Sequence, residues 1–459
     1  MFRKRLLFLL ALACLEPQAA IAAESQDCDL KLITSVDMLS FGSNRPMVPV
    51  TINGAPKLLL LDTGGITSQL SRAAANQLKL VPFEVNARLY DASGESSRSA
   101  VVADNLTLGK LIASHMRLMV APMDLGEADG LMSTDMLLRY DVDMDFGANK
   151  LTYFSPQHCP GKVLYWSPKE VAEVPLTVND KLHFAVQIKL DGKPFNAVID
   201  TGATSSVISM PVARSIYGLA PDSPGMAPAG PLNGDPRLSS YRHTFSNLTF
   251  DGVAITNPTL LIVPDRMGGD AIQTGSHIPT GDPNIKLPEM LLGMDVMRHL
   301  HMYFAFQEKK LYVSATSPAP ADAAEPERSQ TLAFLDKAVS LSPTNAALLN
   351  NRCFARGLAN TQLDGALADC DASLQTNPSN PNALDSKGLV LYRLGRFADA
   401  LGLYNAALKL NPKLASSLYM RGQTKRKLGN TVDGDADLTA AKKLDPNVNA
   451  PFQEAGITE

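Results

Sequence analysis

Two stretches, "LLLLDTGGITSQLS" from Leu58 to Ser71 and "NAVIDTGATSSVIS" from Asn196 to Ser209, carry an aspartate out of an apolar run, into a Thr-Gly turn and then into a cluster of small residues. A carboxylate at the mouth of such a turn escapes side-chain crowding, because the glycine lets backbone approach closely and donate N–H groups. The threonine hydroxyl can lock the loop. A single Asp-Thr-Gly is an ordinary turn, but two copies related by a pseudo-twofold would set Asp62 and Asp200 face to face. Like charges at that range cannot both ionise, so the pair would share one proton and hold a water between them. The ionised member then takes a proton from the water as it attacks a carbonyl, and the protonated member polarises that carbonyl and later protonates the leaving group.

The elements that must position the two aspartates are also duplicated. Val50-Thr51-Ile52-Asn53-Gly54-Ala55-Pro56 aligns without a gap on Ile188-Lys189-Leu190-Asp191-Gly192-Lys193-Pro194, each reading as a hairpin whose second strand leads to the Asp. Further on, "DMLLRYDVDMDFGANKLTYF" from Asp135 aligns on "DVMRHLHMYFAFQEKKLYVS" from Asp295 at a wider offset, which puts an insertion in the second copy, in the Pro/Gly-rich stretch Pro264 to Pro288. Short β-branched runs broken by turns make each copy mainly β. A brief helix follows each Asp-Thr-Gly loop, with Ser71 as a candidate cap. Phe154 to Val171 reads as a connector that lets the second copy dock on the first. His299 and His301 share a strand face but have no third ligand at a plausible spacing, so no metal is expected. No Gly-x-Ser-x-Gly elbow or phosphate-binding loop is present, and no cofactor is expected.

From Asp37 to Val313 the chain resembles the retropepsin-like bacterial aspartic peptidases. The family pattern apolar-apolar-Asp-Thr-Gly is met by Leu60-Leu61-Asp62-Thr63-Gly64 and by Val198-Ile199-Asp200-Thr201-Gly202. The later apolar-apolar-Gly element is met by Leu291-Leu292-Gly293. The first copy departs from the pattern, with Ser133 after Leu131-Met132 where Gly is usual and with Gly65-Ile66 where the second copy has Ala203-Thr204. The resemblance implies a multidomain protein with two mainly-β lobes, catalytic Asp62 and Asp200, and support from Thr63, Gly64, Thr201 and Gly202. It also implies a polypeptide substrate and flap hairpins at Arg88 to Ala100 and Ala229 to Ser240, where Tyr90 is either a substrate contact or a partly buried strand residue. The alternative reading is a catalytically inactive peptidase-like adaptor.

Beyond the Pro/Ala-rich linker Ser317 to Glu327, Asn377-Pro378, Asn411-Pro412 and Asp445-Pro446 recur every 34 residues, the period of a tetratricopeptide repeat. Gly388, Ala400, Ala407 and Pro412 fill the small-residue positions of the second repeat. Gly422, Ala441 and Pro446 fill those of the third, where Gly434 replaces an Ala. Cys353 stands where the first repeat should have Gly. A lone helix from Thr331 to Pro343 would cover the start of the stack. A protein partner is expected on the concave face, at Asn382, Asp385, Tyr392, Arg393, Gln423, Arg426 and Lys427.

The 459 residues with 45% hydrophobic content are enough for three domains. A formal charge of −4 gives no support to a nucleic-acid partner, whose binders normally show a concentrated Lys/Arg excess. "MFRKRLLFLLALACLEPQAAIAA" has the basic start, short apolar stretch and small-x-small end of a secretory signal peptide. The mature chain is therefore expected to be exported, to the periplasm by the family resemblance, with no membrane span. A lipoprotein anchored at Cys14 is the rival reading, with a poor lipobox. Four cysteines remain after cleavage, and their positions suggest Cys28 with Cys159 and Cys353 with Cys370, against the alternative of buried thiols. Cys353 and Cys370 fall at repeat positions whose side chains pack against each other. The expected layout is a signal at 1–22, lobes at 30–158 and 171–315, a linker at 316–328 and the repeats at 329–449.

Overall fold

The computed structural model describes residues 28–41, 45–90, 96–166, 170–179, 182–231, 239–264, 289–316 and 327–458. The expected signal segment, the expected insertion beyond Pro264 and, within the expected flaps, residues 91–95 and 232–238 lie outside the described residues. So does the Tyr90 side chain, although its backbone pairs with Ser96 at the end of the strand Phe83–Tyr90.

Each lobe starts from the hairpin legible in the sequence. Arg45–Ile52 turns through Asn53 and Gly54 into Ala55–Leu61, and Phe184–Leu190 turns through Asp191 and Gly192 into Lys193–Ile199. All four turn residues have positive φ (49° and 83°, 46° and 75°), the conformation that a two-residue turn between twisted strands requires and that Asn-Gly and Asp-Gly adopt readily. The second strand of each hairpin then pairs in parallel with a short crossing strand. Leu59, Leu60 and Leu61 face Gly130, Leu131 and Met132, and Ala197, Val198 and Ile199 face Met290, Leu291 and Leu292 in the same register. The loop aspartates are thereby tied to the crossing strands, with Asp62 N–H donating to Met132 O and Asp200 N–H to Leu292 O, both at 2.9 Å. Ser71 caps the helix Arg72–Gln77 and Ser209 caps Met210–Tyr217, each accepting from a first-turn N–H.

The matched downstream segments meet each other. Asp141–Asp145 pairs antiparallel with Leu300–Ala305, placing Val142 opposite Phe304, Asp143 opposite Tyr303 and Met144 opposite Met302. Asp143 and Tyr303 are equivalent positions of the two copies, so the pseudo-twofold axis runs through this pair. Leu32–Asp37 and Lys150–Phe154 extend the sheet on one side, and Lys310–Ala315 and Ala172–Val178 on the other. Val142, Met144, Met302, Phe304 and Leu311 are fully buried on its core face. The opposite face sets Asp141, Asp143 and His301 beside Phe154, Tyr303 and Tyr312, and residues 155–166 cover it. His158 Nε2 meets Asp141 at 2.6 Å, Tyr165 OH donates to Asp143, Trp166 stacks on His301 at 4.1 Å, and a disulfide joins Cys159 to Cys28. The described part of the expected connector, residues 155–166, packs as a strap, because its aromatic and imidazole groups satisfy carboxylates that the sheet buries.

Helices Ala346–Ala359, Leu363–Thr376, Pro381–Arg393, Phe397–Leu410, Ala415–Lys427 and Thr431–Leu444 form three antiparallel pairs. The helix Glu327–Leu341 precedes them and the short helix Ala450–Glu454 follows. One position couples the two helices of each repeat. Cys353 is disulfide-bonded to Cys370, a Cβ on Gly388 would lie 2.7 Å from the Tyr404 ring, and one on Gly422 would lie 2.7 Å from Gly434 O. The last contact explains Gly434, since its own Cβ would fall 2.8 Å from Gly422 O.

The array is docked on the first lobe. Ala338, Val339, Leu348 and Leu349 share one core cluster with Leu39, Met47, Leu58, Leu60, Ala128 and Leu131. A polar network crosses the seam beside it. Asp129 accepts from Leu58 N–H at 2.9 Å, Ser342 Oγ–H at 2.5 Å and Asn345 Nδ2–H at 3.4 Å. Lys57, only 2% exposed, donates to Gln77 and Thr344 and lies 3.8 Å from Asp129.

Candidate active site

Asp62 and Asp200 are delivered to the same place by a reciprocal threonine grip. Thr63 Oγ1–H donates to Ile199 O and Thr201 Oγ1–H to Leu61 O, both at 2.7 Å. In return Thr63 N–H donates to Thr201 Oγ1 at 3.1 Å and Thr201 N–H to Thr63 Oγ1 at 3.0 Å. Four buried hydrogen bonds thus join the two loops across the pseudo-twofold, and each threonine is fully buried. Each aspartate is then oriented by its own turn. Asp62 Oδ1 accepts from Gly64 and Gly65 N–H at 3.0 and 3.1 Å, and Asp200 Oδ1 from Gly202 and Ala203 N–H at 2.9 and 3.1 Å.

The glycines are required by proximity across the axis. A Cβ on Gly64 would collide with the Asp200 carboxylate, and one on Gly202 would lie 2.5 Å from Asp62 Oδ1. Both carboxylates are 0% exposed. Such a buried pair, held by opposed backbone donors, is an arrangement in which one group can accept a proton while the other donates one.

A second duplicated device lies behind each loop. Ser68 Oγ–H donates to Asp135 and Ser206 Oγ–H to Asp295, both at 2.6 Å, and the same serine oxygens accept from Ser133 N–H at 3.0 Å and Gly293 N–H at 2.9 Å. Burial raises the pKa of both Asp135 and Asp295 despite the serine hydrogen bonds. These four residues support the loops and were not singled out in the sequence. The available signal was that Asp135 and Asp295 open the aligned downstream segments while Ser68 and Ser206 align in the upstream ones.

The remaining sequence-derived candidates separate. His301 is buried on Asp143 at 2.6 Å, whereas His299 lies beside Arg298, and no acidic, histidine or cysteine cluster suited to a metal occurs among the described residues. The expected partner face is largely corrected. Asp385 is buried and accepts from Ser416 and Ser417, Tyr392 is buried, and Gln423 donates to Tyr419 OH. Arg393 donates to Gly357 O, Leu358 O and Ala455 O. The segment after the third repeat covers part of this face: Phe452 stacks on Tyr419 at 5.3 Å and meets Phe354 edge-on. Asn382 and Lys427 stay exposed, and Arg426 pairs with Asp435.

Fold and site together define two mainly-β lobes that meet at one pair of loop aspartates, followed by a domain of paired helices. Residues 48–142 and 186–296 match the family described as Aspartyl protease, and residues 381–414 match the Tetratricopeptide repeat. No curated protein matches the chain. Among solved structures, those titled "MamA MSR-1 C2" and "MamA AMB-1 P212121" are each 20% identical to it with a TM-score of 0.23. The first match covers 27% of this chain and 70% of that one, and the second 26% and 70%. No helix among the described residues is long and apolar enough to cross a membrane.

Proposed function

We propose that this chain is an exported aspartic endopeptidase whose single active site is shared by the two lobes. The observation that carries the reading is the reciprocal Thr63–Thr201 grip, which brings two loop carboxylates together from sequence-distant halves. One aspartate removes a proton from a water as its oxygen adds to the peptide carbonyl carbon. The other aspartate donates its proton to the carbonyl oxygen. Collapse of the tetrahedral species re-forms the carbonyl and breaks the C–N bond, with the proton held by the first aspartate passing to the leaving amine and a hydroxyl proton returning to the second aspartate. Because both carboxylates are buried, a polypeptide reaches them only when the surrounding chain moves. Two disulfides support export to an oxidising compartment, the periplasm by the family resemblance. The repeats recruit a protein partner or substrate, and exposed Asn382 and Lys427 belong to the face available for it.

The test is incubation of the purified chain with a diverse peptide library from pH 3 to 7. Cleavage that Asp200→Asn abolishes supports the endopeptidase. A wild-type chain that folds and cleaves nothing across that range is the inactive adaptor instead.

A further inference from the structure

The two lobes build the wall beside their aspartates from opposite parts. In the second lobe the loop supplies a methyl, Ala203, and the crossing strand ends in a bare Gly293. Gly293 cannot be replaced there, since a Cβ would sit 2.5 Å from the Ser205 carbonyl carbon and 2.6 Å from its oxygen. In the first lobe the loop residue is bare Gly65 and the crossing strand ends in Ser133, with nearly the same backbone (φ −105° against −102°). A Cβ on Gly65 would lie 2.5 Å from Ser133 Oγ and 3.1 Å from Asp62 Oδ2. The serine hydroxyl therefore borders the space that the Ala203 methyl fills in the other lobe. Ser133 is 0% exposed and its Oγ has no hydrogen-bond partner within the described protein. A buried hydroxyl without a partner is costly, so it is retained where something gives it one at another stage of a cycle.

We propose that Ser133 is a positioning residue that distinguishes the two aspartates, its hydroxyl donating to Asp62 Oδ2, directly or through one water, so that Asp62 accepts the proton from the attacking water and Asp200 carries the shared proton. The proposal rests on the endopeptidase reading for its catalytic meaning. It explains Ser133 and Gly65 as one exchange, because the hydroxyl at position 133 needs the absence of a side chain at position 65. A donor to an ionised carboxylate favours that form, and the apolar Ala203 wall offers Asp200 nothing equivalent.

The test reads ionisation directly, so that it stands whether or not the chain cleaves peptides. Carboxyl carbon-13 titrations of Asp62 and Asp200, assigned with Asp62→Asn and Asp200→Asn, are followed in wild type, Ser133→Ala and Ser133→Thr. Asp62 should lose its proton first in wild type. Ser133→Ala should move that step up by about half a pH unit or more, and Ser133→Thr, which keeps the hydroxyl, should restore it. The acid limb of kcat/KM should move with it, a loss of about threefold on that limb. Identical titrations in wild type and Ser133→Ala, or Asp200 ionising first in wild type, overturn the proposal. An inactive wild type with the expected titrations overturns the endopeptidase reading alone. The shared space is checked by stability: Gly65→Ala should destabilise the wild type and be tolerated beside Ser133→Gly, and additive effects would overturn the exchange.

Discussion

At the position of Leu58 in the first lobe the second lobe has Asn196, and at the position of Asp129 it has Glu289. The hydrogen bond between them is conserved in kind, with Leu58 N–H on Asp129 at 2.9 Å and Asn196 N–H on Glu289 at 3.0 Å. Their surroundings differ completely. Leu58 and Asp129 are buried under the helical array, whereas Asn196 and Glu289 are exposed. One supersecondary unit thus serves as an interior seam in one copy and as an outer surface in the other. Toward the axis the copies keep the same threonines and glycines, because each must fit the other. Away from it they diverge, because only one lobe carries the helices.

The largest effect should come where the lobes are alike. Gly64→Ala and Gly202→Ala each drive a methyl into the opposite carboxylate, and each should lower peptide hydrolysis by at least about 100-fold, the cost of displacing a reacting group by about 1 Å. Equal losses in a peptide assay support a symmetric site. A near wild-type rate for either one would break the symmetry.

Where the lobes differ, so should their mutants. Asp129→Ala removes the partner of buried Lys57 and two hydrogen bonds from the array, and should cost about 3 kcal/mol in denaturant unfolding. The equivalent Glu289→Ala lies at the surface and should change stability by less than about 0.5 kcal/mol. Similar values for the two would mean that the docked array contributes nothing to the first lobe. Deletion of the helices should accordingly harm the lobe itself, by exposing Leu58, Leu60 and Leu131.

A smaller effect belongs to the array. Burial pushes the Asp385 carboxyl up to about 6, against the hydrogen bonds from Ser417 and Ser416. A carboxyl whose folded pKa lies above its unfolded value binds more protons when folded, so its contribution is most favourable below about pH 4 and declines as pH rises through 6. Asp385→Asn should flatten that decline in thermal midpoints measured from pH 4 to 7. An unchanged slope would show that Asp385 ionises without cost.

The parts of this arrangement that follow from local chemistry could be read in the chain. Asn53-Gly54 and Asp191-Gly192 specify their turns, and the gapless alignment of Val50–Pro56 on Ile188–Pro194 gives both copies the same hairpin. Asp62, Asp200 and their Thr-Gly partners were legible for the same reason. The Ser68–Asp135 and Ser206–Asp295 pairs were not, because each joins residues far apart in sequence through an element too short to show a period. The burial of Lys57 depends on Gln77 and Thr344, which no local pattern links to it. Repeat positions put Arg393 on an inner face, but residues 450–457 reach that face first, and their short helix has no strong pattern.

If the two halves make one site, its two carboxylates are equally necessary. The direct measurement is peptide turnover by Asp62→Asn, by Asp200→Asn and by an equimolar mixture of the two. Each single variant should be inactive, because one aspartate lacks the partner that carries the second proton-transfer role. The mixture should stay inactive too, since Thr63 and Thr201 grip each other within one chain. Near wild-type turnover by either single variant would contradict the paired mechanism, and recovery in the mixture would contradict the site's assembly within a single chain.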